Sequence, residues 1–183
     1  ILFVTSLREP VNRLLSAYRF WGILHNQAKE KPSFGQWLYT IQGRARNGKG
    51  SFQRNVGRFN FITWTFSGGI MPLQPRSEEE DMRKLINMPT QEESQWKEPF
   101  QVAIQTLCRF DLVIPMELLS NHHEPLTETL GWTHFEESHV VPSGKIKNSD
   151  ASTELGAIEY RSLWEANWLD IVLYRWARAV YLT

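Results

Sequence analysis

Leu7-Arg8-Glu9-Pro10-Val11-Asn12-Arg13-Leu14-Leu15-Ser16-Ala17-Tyr18-Arg19 is the stretch on which the reading of this chain turns. The residues leading into it, 1–7, are apolar and β-rich and read as a buried strand. Pro10 then stands where a first helical residue belongs, because its missing N–H is not needed there. Val11, Leu14, Leu15, Tyr18 and Trp21 recur at helical spacing, which predicts an amphipathic helix over 10–25. Its other face presents Asn12, Ser16 and Arg19, four and three residues apart and so looking the same way. In an open α/β sheet, ligands bind beyond the carboxyl ends of the strands. A helix start at that edge offers free N–H groups and a partial positive charge to an anion. The Arg8 guanidinium supplies a planar fork for phosphate oxygens, and the Ser16 hydroxyl a further donor. Spacing alone leaves two outcomes open. Either both side chains grip a phosphate, or Arg8 pairs with a carboxylate and Ser16 is an ordinary small helix residue.

Further along, Ser33 with Gln36 forms a capping box. Phe34, Trp37, Leu38 and Ile41 give a second helix its buried stripe, which Gly43 is expected to stop. Residues 44–58 read as a basic, glycine-bearing loop, and Phe61–Phe66 alternates weakly between apolar and polar positions. Ser77 with Glu80 opens a further helix through Met82, Leu85 and Ile86. Trp96, Phe100, Ile104 and Leu107 predict a helix over about 95–109, and residues 111–116 a second short buried strand. A helix near 126–130 ends at Gly131, residues 139–153 are irregular, and one long helix is expected over 160–181. Short apolar strands separated by helices argue for an α/β fold with a parallel sheet.

The chain has 183 residues, one domain's worth, and 42% are hydrophobic, enough for a sizeable core. No segment approaches the roughly 20 apolar residues of a helical membrane span. The single cysteine, Cys108, cannot make an internal disulfide; its place on an apolar helical stripe predicts a buried, inert thiol. Residues 1–60 carry ten basic groups against Glu9 and Glu30, a balance of +8, while residues 61–140 carry five basic and thirteen acidic groups, a balance of −8. Such a division suggests a cationic surface for an anionic ligand. The bland alternative is that the two regions pair as solvated surface.

The stretch from Leu7 to Arg19 closely resembles the 3′-phosphate-binding segment of the Golgi carbohydrate sulfotransferases: Arg, an acid and Pro at a strand end, then Ser eight residues past the Arg, then Tyr. Phe110-Asp111-Leu112-Val113-Ile114-Pro115-Met116-Glu117 resembles that family's late strand, with Leu130-Gly131-Trp132 following. Asn167-Trp168-Leu169-Asp170-Ile171-Val172-Leu173-Tyr174 and then Ala177 resembles its closing helix. The resemblance implies a P-loop-like three-layer sulfotransferase fold, with a short parallel sheet and many helices, N-terminally incomplete, as a single partial domain over 1–183. It implies transfer of a sulfuryl group from 3′-phosphoadenosine 5′-phosphosulfate to a glycan hydroxyl, with Arg8 and Ser16 on the donor's 3′-phosphate.

The heparan sulfate 2-O- and 6-O-sulfotransferase branch looks nearest, because Arg54-Asn55 with Arg58 is similar to a basic segment there. Arg54 and Arg58 are therefore acceptor-side candidates, and Lys145 and Lys147 fall where the family closes a late loop over the nucleotide. The chain opens on Ile1-Leu2-Phe3-Val4 without Met and reads as a piece of a longer protein. The phosphosulfate loop and the catalytic base, placed by resemblance upstream of Ile1, are not expected among these residues. A Golgi-lumenal, type II membrane protein is implied on the same ground, its anchor absent from this chain.

The implied partners are an anionic nucleotide and a glycan, with no nucleic acid and no metal. His122, His123, His134 and His139 match no standard metal spacing and read as loop histidines. Three alternatives stay open: a non-enzymatic anionic-glycan-binding module, a P-loop nucleotide kinase, and a protein-tyrosine sulfotransferase.

Overall fold

Two strands more than a hundred residues apart in sequence lie side by side: β1 (Val4–Leu7) and β2 (Leu112–Pro115) run parallel, from Val4 opposite Leu112 to Leu7 opposite Pro115. The structure is a computed structural model that describes residues 1–46, 57–68, 93–117 and 151–181, with Thr127 and Gly131. The chain is mixed α/β. Helix α1 (Pro10–Ala17) continues as a π-helical stretch (Tyr18–Leu24) and is followed by α2 (Phe34–Arg46), α3 (Phe61–Phe66) and α4 (Glu93–Leu107), the last leading into β2. The described chain closes with α5 (Ala151–Glu154), α6 (Ala157–Ala166) and α7 (Trp168–Tyr181).

Helix α1 forms as its sequence dictates. Pro10 occupies the first helical position, and the Glu9 carboxylate accepts a hydrogen bond from Asn12 N–H at 2.7 Å, satisfying a donor that the helix start leaves without an intrahelical partner. Val11, Leu14 and Leu15 turn inward with Trp37, Leu38 and Ile41 of α2, Phe59 and Leu163 of α6, forming one core. Burying each such side chain stabilises the fold by about 1.5–3 kcal/mol. A second core joins Leu7, Val113, Ile62, Ala103, Leu107, Leu173 and Ala177, seating the sheet on α3, α4 and α7. The Ser33–Gln36 capping box is made in both directions, at 2.9 and 3.3 Å.

Several expectations need correction. Residues 1–7 are not a buried strand: Leu7 is buried, but Ile1, Leu2, Phe3 and Val4 are exposed, because among the described residues β1 has β2 as its one neighbour and meets the core only at its end. Helix α2 runs through Gly43 to Arg46, since a mid-helix glycine costs about 1 kcal/mol without ending a helix. The alternation over Phe61–Phe66 gives way to helix. Residues 151–153, expected to be irregular, begin α5. The single helix over 160–181 is two, broken at Asn167, and Cys108 is exposed just past the end of α4. The helices expected after Ser77 and near 126–130, and the loop at 139–150, lie outside the described residues apart from Thr127; Gly131 has a positive φ of 65°, as suits a chain reversal.

The break at Asn167 and the helicity of α3 have one cause. Asn60 takes a left-handed conformation (φ 51°), which asparagine tolerates better than most residues. Its N–H donates to Asn167 Oδ1 at 3.1 Å, and its side-chain oxygen accepts from Asp170 N–H at 3.3 Å. Asp170, fully buried, accepts from Ile62 N–H, Thr63 N–H and Thr63 Oγ1, each at 2.8 Å. A carboxylate on α7 thus caps the first turn of α3 from more than a hundred residues away.

Candidate functional site

The parallel register brings the carboxyl ends of β1 and β2 to one edge, and Arg8 and Glu117 lie just beyond it. Arg8 is half-buried there, directly before the start of α1. Among the described residues neither its guanidinium nor the Ser16 hydroxyl has a hydrogen-bond or ion-pair partner. The carboxylate pairing left open for Arg8 is therefore not made within the described chain.

Helix α5 defines the face on which Ser16 stands. Asn12 Oδ1 accepts from Ala151 N–H at 2.7 Å, and Arg19 pairs with Glu154. Both ends of the Asn12, Ser16, Arg19 row thus meet the same short helix, and half-buried Ser16 lies between them in the row. Ala151 follows Lys147 by four residues; Lys145 and Lys147 themselves lie outside the described residues, as does Arg54.

The other arginines have different neighbours. Arg13 is half-buried, its guanidinium 4.9 Å from the centroid of the Phe61 ring and donating to Arg58 O at 2.9 Å. Burial pulls it down to about 10, opposed by the nearby charges of Asp170 and Glu9, so it stays cationic at neutral pH. Burial pushes the Asp170 carboxyl up, opposed by Arg13 and by the hydrogen bonds from Thr63 and Ile62. Arg58, the acceptor-side candidate, sits over the Trp64 ring at 5.4 Å and is lowered by burial. Its backbone is tied to Arg13, so it belongs to the packing of α1 against α3 as well as to any ligand surface.

Two features of this region escaped sequence reasoning. Glu117 Oε1 accepts from Glu9 N–H at 2.8 Å while its Oε2 accepts from Tyr174 OH at 2.6 Å, bridging the exit of β1 to α7. The register could have suggested the first contact, because continuing it by two residues sets Glu9 opposite Glu117. The second is a cleft of about 800 Å³ between the π-helical stretch and α2, lined by Trp21, His25, Asn26, Gln27, Glu30, Lys31 and Trp37 among others. Of its two indoles Trp21 is half-buried, while Trp37 is packed into the core.

Among the described residues no group of three or more His, Cys, Asp or Glu is placed to hold a metal ion, and no helix is long and apolar enough to cross a membrane. Comparison with protein-family models, with curated proteins and with solved structures finds no match to this chain.

Proposed function

We propose that this chain is the 3′-phosphate-binding part of a sulfotransferase, built on a P-loop-like three-layer sulfotransferase fold, that uses 3′-phosphoadenosine 5′-phosphosulfate. One observation carries the reading: half-buried Arg8, at the carboxyl edge of a parallel sheet and the start of a helix, has no hydrogen-bond or ion-pair partner among the described residues. A partly desolvated guanidinium gains most from an anion that meets it with two oxygens. Ser16, likewise without a partner on α1, is the second donor. The resemblance of the segment from Leu7 to Arg19 to the Golgi carbohydrate sulfotransferases supplies the nucleotide class.

In the proposed reaction an acceptor hydroxyl oxygen attacks the sulfur of the donor in line. A new S–O bond forms, the bridging bond from sulfur to the 5′-phosphate oxygen breaks, and a general base takes the hydroxyl proton. The nucleotide leaves as 3′-phosphoadenosine 5′-phosphate. Arg8 and Ser16 bind and orient the donor and take no part in proton transfer. By resemblance the protein works in the Golgi lumen, and Lys145 and Lys147 close on the nucleotide. The acceptor is a glycan, with Arg54 and Arg58 on its side. Half-buried Trp21 in the cleft supports a ring-shaped acceptor such as a sugar, because an indole face stacks on pyranose C–H groups.

Calorimetric titration with 3′-phosphoadenosine 5′-phosphate tests the reading. Arg8→Ala is expected to weaken binding at least tenfold, the scale of a charged hydrogen bond of about 1.5–3 kcal/mol. Unchanged affinity rejects the assignment. The same cleft favours one second reading, a glycan-binding module that uses no nucleotide. It predicts salt-sensitive retention on heparin that survives Ser16→Ala, with no nucleotide affinity at all. Competition by ATP at equal concentration separates both from a nucleotide kinase.

A further inference from the structure

We propose that Glu117 and Tyr174 are positioning residues for Arg8: the Glu117 carboxylate, held by the Tyr174 hydroxyl, fixes the peptide after Arg8 so that the guanidinium is aimed before the nucleotide arrives. The proposal rests on the nucleotide reading of Arg8 given above.

β1 ends at Leu7 and α1 begins at Pro10, so only Arg8 and Glu9 make the turn between them. A two-residue turn at a sheet edge leaves main-chain donors that neither strand nor helix uses, and such donors need partners. Here Glu117 Oε1 takes the Glu9 N–H at 2.8 Å. The other oxygen of the same carboxylate takes Tyr174 OH at 2.6 Å, so the clamp is anchored in α7. Tyr174 is buried, and both its burial and its bond to Glu117 push the phenol well above its ordinary range. It therefore stays a donor at every pH where the protein would work. Glu9 fixes the other side of the turn, its carboxylate accepting from Asn12 N–H at 2.7 Å. The peptide that joins Arg8 to Glu9 is thus tied through Glu117 to α7, while the Arg8 side chain has no partner among the described residues.

Removing the anchor lets the turn and its arginine sample more conformations, which must then be ordered on binding. Freezing one long side chain costs about 0.5–1.5 kcal/mol, or roughly two- to tenfold in affinity. Tyr174→Phe removes the hydroxyl and keeps the buried ring. In titrations with 3′-phosphoadenosine 5′-phosphate it is expected to weaken binding within that range. The decisive comparison is the same change in an Arg8→Ala background, where it is expected to have no further effect. An equal loss in both backgrounds means that Tyr174 acts on the fold in general and overturns the proposal. Wild-type affinity in Tyr174→Phe overturns it as well. If Arg8→Ala alone leaves affinity unchanged, the nucleotide reading itself has failed, and the positioning role fails with it. Should Tyr174→Phe not fold, Glu117→Gln takes its place in the same cycle, since an amide offers one acceptor oxygen where the clamp needs two.

Discussion

Arg8, Arg13 and Arg58 show how neighbours decide what a guanidinium does. Arg13 packs on the Phe61 ring and donates to the Arg58 carbonyl, which ties α1 to α3. Arg58 lies on an indole face. Of the three, Arg8 stands at the sheet edge with no partner among the described residues. Arg13 is structural, and its loss is expected to register as stability rather than binding. Asp170→Asn replaces an acceptor with a donor facing Ile62 or Thr63 N–H, leaving a buried donor without its partner. It is expected to destabilise the fold by about 1–3 kcal/mol. Urea unfolding measures this, and no loss of stability would show that the cap on α3 matters little.

At the scale of elements, α1 was legible because its signals are local: Pro10 at the first position and the apolar spacing of Val11, Leu14 and Leu15. Strand β2 and helix α4 were legible for the same reason. Helix α3 was not, because the group that caps it, Asp170, lies on another helix, and its own six residues alternate as a strand would. The break at Asn167 was equally hidden, since it depends on Asn60 arriving from elsewhere. Spacing marked Arg8 and Ser16 as candidates and left their role open, whereas Glu117 and the Trp21 cleft required elements that only the fold brings together. The π-helical stretch makes a prediction of its own. A Cβ added at Gly22 would lie 2.5 Å from Tyr18 Cδ2 and 3.0 Å from Trp37 Cδ1. Overpacking of about 1–3 kcal/mol is set against the roughly 1 kcal/mol that alanine gains over glycine in a helix. Gly22→Ala is therefore expected to lower the melting temperature by a few degrees; a rise would show that the wide turn yields easily.

For the whole molecule, the +8 balance of residues 1–60 is not a uniform cationic surface: Arg13 and Arg58 are half-buried, and Arg19 is paired with Glu154. A second global property is the response to alkali. Burial pushes Tyr18, Tyr174 and Tyr181 above the ordinary 10.0, and each hydroxyl donates to an oxygen: Pro32 O, Glu117 Oε2 and Leu107 O. A folded-state value above the unfolded one means that the unfolded chain loses its protons first. The stability these phenols contribute is complete below about pH 10 and is lost as pH rises through the folded values. Urea unfolding at intervals between pH 9 and 12 is expected to show stability falling as pH rises, and falling less steeply in Tyr174→Phe. A flat profile would contradict the burial of these hydroxyls.

The measurement that bears most directly on the central claim is a crystal structure of the protein with 3′-phosphoadenosine 5′-phosphate. The 3′-phosphate is expected against Arg8 and Ser16 together, its oxygens about 2.7–2.9 Å from the guanidinium nitrogens. A nucleotide bound elsewhere, or a 3′-phosphate that touches neither side chain, would contradict it.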